Sequence, residues 1–490
     1  MTFKVSRLGD IAEIIDSLHK TPKYAAEGKP MVRVTDVKYG PLKLGSAYKV
    51  NEEVFKEFSC RYTPSVGDIV ITRVGSYGNT SFVVNPDFCL GQNTAAIIPK
   101  ISSRYLFLAL NSDALRNQIE SLVVGSTQKT LSLKAISNLQ IPRFNPDLEN
   151  FIAEVGSQLD DKIEFNHQIN QTLEQMAQAL FKSWFVDFEP VKAKIAARQR
   201  WQALQPENEP ASPVCYAAEF DEPPAVGDLE SCMNRAAMQA IAGKTAAQLD
   251  ALHAEDPERY RELYETAALF PSAMQASELG EIPEGWEALP LSQMIKLIGG
   301  GTPKKSEPAY WNGEICWFSV KDAPQDGNIF VIDTEDKITE KALKNSPTKL
   351  LPIGTTIITA RGTVGKLALT GVLTAMNQSC YGIVGSDGTG SCLNYLRIHK
   401  AVDTLKKNSH GAVFDTITRA TFDTVLQPQA PLDLRQRFEE VVMCTFEAIK
   451  NNLRQSKTLS ELRDTLLPKL LSGELTVPDA EAQLAEVADA

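Results

Sequence analysis

A chain of 490 residues, 43% hydrophobic and 23% charged, has the length of two or three domains and the composition of a soluble globular protein, which excludes a single small module. It holds no apolar run long enough to span a membrane and begins MTFKVSRLGDIAEII, with neither a basic start nor an apolar leader, so the cytoplasm is the expected compartment. The net charge of −11 is uneven: residues 1–144 carry 18 Lys and Arg against 12 Asp and Glu, and 286–430 carry 15 against 13, whereas 187–285 carry 8 against 18. Two neutral-to-basic blocks thus keep nucleic acid open as a partner, because phosphate contact depends on local charge.

The first block, 1–145, opens on Leu8, Ile11, Ile14 and Ile15, passes Thr21-Pro22 and VTD at 34–36, and reaches VGDIVITRVGSYG at 66–78. This last run is a β-branched strand entering a Gly-x-x-Gly loop, with Gly67, Gly75 and Gly78 as its turn residues. Residues 146–186 then lack Pro and Gly clusters and place Leu148, Ile152, Val155, Leu159, Ile163, Ile169, Leu173, Met176, Leu180 and Trp184 at helical spacing, interrupted by Asn166. The pattern predicts a long helix with a coiled-coil seam. An acidic stretch, 187–285, follows, with QPENEPASP and FDEPPAVGD beside helical pieces; it reads as a linker or a docking insert.

From 286 the chain repeats itself at an offset close to 286 residues. Leu291, Met294, Leu297 and Ile298 answer the first apolar set, Thr302-Pro303 answers Thr21-Pro22, and VKD at 320–322 answers VTD. IGTTIITARGTVG at 353–365 answers the strand and loop, setting Gly354, Gly362 and Gly365 over Gly67, Gly75 and Gly78; Gly411, Thr416 and Pro428 answer Gly125, Thr130 and Pro142. The block 286–430 is therefore a second mixed α/β domain, and 431–475 a second helix, with Leu434, Phe438, Val441, Ile449, Leu459, Leu462, Leu466 and Leu470 interrupted by Asn452. Residues 476–490 read as a flexible tail. If two such helices pack antiparallel, only residues at their midpoints meet their own counterparts, and Asn166 and Asn452 are expected to face each other there.

Enzymatic signatures fail one by one. Asn85-Pro86-Asp87-Phe88 lacks the second proline of a base-holding N-P-P-F and has no nucleotide loop before it, so it reads as a turn. Pro146-Asp147 with Asp160-x-Lys162 falls on a helix and reads as solvated charge; Gly362-x-x-Gly365-Lys366 lacks the start of a phosphate loop and its Ser or Thr. The eight cysteines are scattered without a C-x-x-C pair, and His19, His167, His253, His399 and His410 show no metal spacing. No catalytic residue and no metal site is expected.

LEQMAQALFKSWFVDFEP at 173–190, SELGEIPEGWEALPLSQ at 277–293 and LRDTLLPKLLSGEL at 462–475 give the chain a resemblance, over nearly its whole length, to the specificity subunit of Type I restriction-modification systems. That resemblance implies an α+β fold of two target recognition domains, each followed by a long helix, the helices forming an antiparallel coiled coil. It implies a subunit that is not itself an enzyme and reads one half of a split, asymmetric sequence in double-stranded DNA with each domain. The expected partners are two modification subunits that bind S-adenosylmethionine and flip adenine for N6 methylation, and restriction subunits that use ATP and Mg; no cofactor is expected in this chain. The expected DNA-binding residues are Arg33, Lys38, Arg73, Ser76, Tyr77, Asn79 and Lys129 in the first domain and Lys304, Lys305, Lys321, Arg361, Thr363, Lys366 and Arg419 in the second. Arg73 and Arg361 should both face DNA, where arginine pairs with guanine. Phe181, Trp184, Phe185, Leu466 and Leu467 are expected as an exposed docking surface for partners, with packing at the end of the coiled coil as the other reading of the three aromatics. A coiled-coil scaffold that never touches DNA is the competing reading.

Overall fold

The computed structural model describes residues 4–124, 129–203, 228–324, 327–409 and 416–488. Gly125, Gly411, His410 and the proline-rich part of the acidic stretch lie outside the described residues. Two long helices, α1 (Pro146–Phe185) and α2 (Leu432–Ser472), follow the two repeats as the periodicity predicts. The chain divides into two compact units, Met1–Phe165 with Gln455–Ala490, and Asn166–Arg454. Each unit thus holds one repeat domain, the first half of the helix that follows it, and the second half of the helix that follows the other domain.

The first unit contains β1 (Lys4–Arg7), β2 (Ala12–Asp16), β3 (Lys29–Val32), β4 (Tyr48–Val50), β5 (Ile69–Thr72), β6 (Thr80–Phe82), β7 (Cys89–Leu90), β8 (Thr94–Pro99) and β9 (Gln140–Arg143). They form a four-stranded antiparallel sheet in the order β2-β8-β5-β6, a smaller sheet β4-β3-β7 with β3 and β7 parallel, and a β1-β9 ribbon. Ile69, Val70 and Ile71 are buried on both faces of β5, which explains why that strand reads as a continuous apolar run. Helix Ser103–Leu110 packs behind the sheet and meets α1 at Gly156, where any β-carbon would lie 2.3 Å from Leu108. Leu148 and Ile152 of α1 and Leu467, Leu470 and Leu471 of α2 close this core.

In the second unit, β10 (Met274–Ser277) and β11 (Gly280–Pro283) form a hairpin ahead of the repeat. β12 (Glu287–Pro290) pairs with β21 (Leu426–Gln429), as β1 pairs with β9. β13 (Ile295–Gly299), β20 (Cys380–Gly385), β17 (Thr356–Thr359) and β18 (Leu367–Thr370) repeat the first sheet strand for strand, and β15 (Phe330–Val331) adds a fifth along the edge. β16 (Lys337–Ile338), β14 (Trp311–Phe318) and β19 (Thr374–Met376) repeat the small sheet, with β14 and β19 parallel. Here the core is closed by Leu434 and Phe438 of α2 and by Ala177, Phe181, Trp184 and Phe185 of α1.

Within the second unit the helices run in opposite senses, because Asn166 meets Asn452, Asn170 meets Ile449, and Phe181 meets Phe438. Asn166 Nδ2 donates to the Asn452 carbonyl at 3.5 Å, and Asn452 Nδ2 donates to Asn170 Oδ1 at 2.8 Å. The two midpoint asparagines therefore approach as expected, and Asn170, 1% exposed, joins them as a third member of the polar layer. Two stripe residues correct the periodicity: Met176 is 60% and Val441 37% exposed. A 3.6-residue helix drifts out of a 3.5-residue register, so the seam passes to Ala177, Phe181 and Val442 instead.

The segment expected as a flexible tail carries a helix, Val477–Ala488. Thr476 Oγ1 bonds Asp479 Oδ2 at its start and Ala480 is fully buried in the first unit's core; its alanine-rich composition hides that small apolar face. The described part of the acidic stretch is equally built: helices Glu189–Ala203, Leu229–Ala242, Ala246–Glu255 and Pro257–Ala268 enclose Ala237, Met238, Leu249 and Ala267. Lys194 Nζ donates to the Phe270 carbonyl at 2.6 Å, and Arg437 of α2 reaches Thr266 Oγ1 at 2.8 Å.

The polar layer yields a stability prediction. Asn452→Ala leaves the buried Asn170 oxygen without its donor, and the second unit should lose ~1–3 kcal/mol. All five tryptophans (184, 201, 286, 311 and 317) lie in Asn166–Arg454, so tryptophan fluorescence during urea unfolding reports on that unit alone.

Candidate nucleic-acid interface

The two strand-to-loop runs fold to the same backbone. Gly75 and Gly78 take φ of 78°, and Gly362 and Gly365 take 76° and 83°, values at which an L side chain is strained. A buried threonine at the strand end holds each loop from within. Thr72 Oγ1 donates to the Ser76 carbonyl and accepts from Asn79 N at 3.0 Å, while Gly78 N donates to the Thr72 carbonyl at 2.9 Å. Thr359 Oγ1 likewise donates to the Thr363 carbonyl at 2.5 Å and accepts from Lys366 N at 2.9 Å, and Gly365 N donates to the Thr359 carbonyl at 2.8 Å.

Backbone bonds gather the same neighbouring segments around each loop. In the first unit Ser17 N donates to the Thr94 carbonyl, Arg73 N to Asn93, and Leu131 N to Arg73. In the second, Gly301 N donates to Met376, Ala360 N to Ser379, and Ile417 N to Ala360. Arg73, Ser76, Tyr77, Asn79 and Lys129 are thereby brought to one rim, and Arg361, Thr363, Lys366 and Arg419 to its counterpart.

What differs is the side-chain chemistry. The glycines align at an offset of 287, so Arg73 falls on Ala360 and Arg361 on Val74. That single step changes which way the side chain turns. Arg73 does not face outward as expected: its guanidinium is 11% exposed, bonded to Asp16 and donating to the Leu131 carbonyl at 3.3 Å. Tyr77 Oη donates to Glu120 at 2.9 Å and accepts from Lys129 Nζ at 3.2 Å, with Lys129 also 3.7 Å from Glu120. The Tyr77 bond first, and the charge of Glu120 after it, hold the Lys129 ammonium above its ordinary pKa. Arg33 is likewise engaged, on Asp36 at 3.1 Å and over the Tyr48 ring at 3.6 Å. Ser76 and Asn79 are exposed on the first rim beside the paired Lys129 and His19, and Lys38 stands exposed beyond it.

The second rim is cationic. Arg361, Lys366, Arg419, Lys304 and Lys305 are all exposed, and none has a carboxylate partner among the described residues; Lys321 sits 3.6 Å from Glu335. Three rim groups carry no sequence signal of their own: Asp16, His19, which bonds Asp16 at 2.7 Å, and Asn93, at a φ of 67°. The pairing of QNT at 92–94 with NQS at 377–379 is the one trace of them in the sequence.

The decoy motifs resolve simply. Asn85 Oδ1 accepts from Asp87 N at 3.0 Å, and Asp87 pairs with Lys29 at 2.8 Å, so the tetrapeptide is a turn. Among the described residues no group of three or more His, Cys, Asp or Glu is placed to hold a metal ion, and no helix is long and apolar enough to cross a membrane. The expected docking surface requires correction. Phe181, Trp184 and Phe185 are 7%, 0% and 5% exposed, and Leu466 and Leu467 are 0% and 8% exposed. Trp184 stacks edge-on against Phe270 at 5.1 Å and Phe438 at 5.3 Å, and Trp286 packs on Phe185 at 5.9 Å. Under the repeat offset Phe181, Trp184 and Phe185 fall on Leu467, Leu470 and Leu471. Both sets close the core of a domain, so their apolar surface is spent inside the chain.

A family model described as the Type I restriction modification DNA specificity domain matches residues 1–175 and 283–426. The Type I restriction enzyme HindI specificity subunit of Haemophilus influenzae is 31% identical, covering 81% of this chain and 82% of its own. The MjaIX specificity subunit of Methanocaldococcus jannaschii is 25% identical over 97% of this chain and 93% of its own. A solved S subunit from M. genitalium is 13% identical, covers 96% of both chains, and has a TM-score of 0.45.

The two arginines should respond oppositely to removal. Arg73→Ala takes the buried guanidinium from Asp16 and leaves that carboxylate with His19 alone, and should destabilise the first unit by ~1–3 kcal/mol, whereas Arg361→Ala should stay within ~0.5 kcal/mol of the parent. Thermal unfolding followed by circular dichroism checks both.

Proposed function

This chain belongs to the specificity subunits of Type I restriction-modification systems, and from that premise we propose that it reads a bipartite, asymmetric DNA site, one half with each rim. The observation that carries the reading is the twice-built rim: one backbone frame, two sets of exposed side chains. Equal frames suit two equivalent approaches to duplex DNA, and unequal side chains suit two different half-sites. Donors and acceptors such as Ser76 and Asn79 discriminate bases through hydrogen bonds, while Arg361, Lys366 and Arg419 suit guanine edges or phosphates.

In this reading the chain performs no chemistry. It holds two modification subunits over adenines in the two half-sites, and restriction subunits join the same assembly in the cytoplasm. S-adenosylmethionine, ATP and Mg are held by those partners, and N6 methylation follows base flipping there. In this reading the long helices are the spacer between half-sites, the 40 residues of α1 corresponding to roughly 60 Å at 1.5 Å per residue.

Two measurements test this. Specific duplex binding by the chain with its methyltransferase should weaken with salt at a slope of about 0.9 per neutralised phosphate. Arg361→Ala and Lys366→Ala should each flatten that slope by about one contact's worth. A scaffold that does not touch DNA gives no slope. Replacing residues 1–145 by those of a relative should change only one half of the methylated sequence, read by methylome sequencing; joint change of both halves would overturn modular reading.

A further inference from the structure

Asp160, expected as a solvated charge, is 11% exposed and is shared by three segments remote in sequence. Its Oδ2 accepts from the Tyr39 hydroxyl at 2.7 Å, and its Oδ1 accepts from Arg463 Nη1 at 2.7 Å. Tyr39 lies between the small sheet's strands in the first repeat domain, Asp160 on α1, and Arg463 on α2. The triangle closes on its third side, because the Arg463 guanidinium lies 4.8 Å from the centre of the Tyr39 ring. Tyr39 in turn packs on Phe107 of the domain core at 5.3 Å, so the hydroxyl is held by a rigid support. Two outer tethers flank the hub: Lys43 reaches Glu164 at 3.0 Å and Arg104 reaches Asp161 at 3.5 Å. These flanking pairs are more exposed and contribute less.

The repeat supplies an internal comparison. At the offset of 286 that aligns Asn166 with Asn452, Asp160 corresponds to Phe446 and Arg463 to Ala177. Both are buried, at 1% and 3%, and Phe446 packs on Phe330 at 6.2 Å and Tyr395 at 6.0 Å. The same station between domain and helix pair is thus aromatic in the second unit and ionic in the first. Apolar packing tolerates small rotations, whereas a carboxylate holding two donors on two oxygens admits only one arrangement.

We propose that Asp160 is a positioning residue: through Tyr39 and Arg463 it fixes the angle of the first recognition domain on its helix ends, and so fixes the spacer length between half-sites that the protein accepts. The proposal rests on the split-site reading above. Asp160→Asn loses the charge that faces Arg463 and keeps one acceptor oxygen for it, and its amide nitrogen meets the Tyr39 hydroxyl only if that hydroxyl turns round to accept, so the charge-assisted bonds of the hub are lost.

The test uses the full chain with its methyltransferase and duplexes whose spacer is native, one base pair shorter or one longer. The wild-type preference for the native spacer should fall by about tenfold in Asp160→Asn, with both half-site sequences unchanged, since half-site spacing is a geometric match. Tyr39→Phe should move it in the same direction by less. Ile152→Val thins the same core without touching the hub and should slow all three duplexes alike. Unchanged spacer preference in Asp160→Asn, or a parallel loss on all duplexes, overturns the proposal. If the wild-type protein is itself indifferent to spacer, the split-site reading fails. The hub is then judged by amide exchange at 33–50, which must rise in Asp160→Asn and not in Ile152→Val.

Discussion

Each recognition domain is closed by the far end of a helix that belongs to the other repeat. Leu467, Leu470 and Leu471 seal the first core, and Phe181, Trp184 and Phe185 seal the second. Large side chains at these stations remove apolar area from water on two elements at once, at roughly 25 cal/mol per Å². Everything else in the molecule accommodates that exchange. The helices must be long, they must be antiparallel where they pair, and a register device is needed so that the correct ends arrive. The asparagine layer at 166, 170 and 452 supplies the register, since three amides satisfy one another and helix carbonyls only when the helices are correctly aligned.

Much of this was legible in one dimension. The repeat, the β-branched strands, the positive-φ glycines and the two helices follow from periodicity and turn chemistry, and the midpoint asparagines follow from symmetry applied to a sequence offset. The failures have physical causes too. Phe181, Trp184 and Phe185 look exposed because a lone helix cannot bury them; their cover, Phe270, Trp286 and Phe438, comes from segments about 80 to 260 residues away, a separation that periodicity cannot bridge. The offset that reveals the repeat also aligns these three with leucines of the second helix, and that pairing marks them as core. Arg73 misleads for a smaller reason. One residue of register separates it from the exposed place that Arg361 occupies, and its partner Asp16 lies on another strand.

The two rims show how a duplicated frame diverges without losing its fold. The threonine, the glycines and the backbone bonds that define the loop are inward, so the outward positions are free to vary at little cost in stability. The charges at the first rim are compensated internally, Arg73 by Asp16 and Lys129 by Glu120, whereas the second presents its cations to solvent. A neutral and a cationic version of one surface therefore coexist in one chain, and the overall acidity resides in the helices and in the stretch between the repeats.

The closure of the first core has a consequence for biosynthesis. Asp160 and its partner Arg463 are 303 residues apart in the chain, and the leucines that complete the first domain follow Arg463. At roughly 5–20 residues per second, a ribosome needs on the order of 15–60 s to cover that interval. Throughout it, Leu148 and Ile152 stand in a domain whose lid has not been made. The first repeat domain is begun before the second and completed after it, so the nascent chain carries an open apolar seam until 467–471 have emerged. A stop between 455 and 467 removes the leucines that close the first repeat domain and leaves in place the residues that close the second.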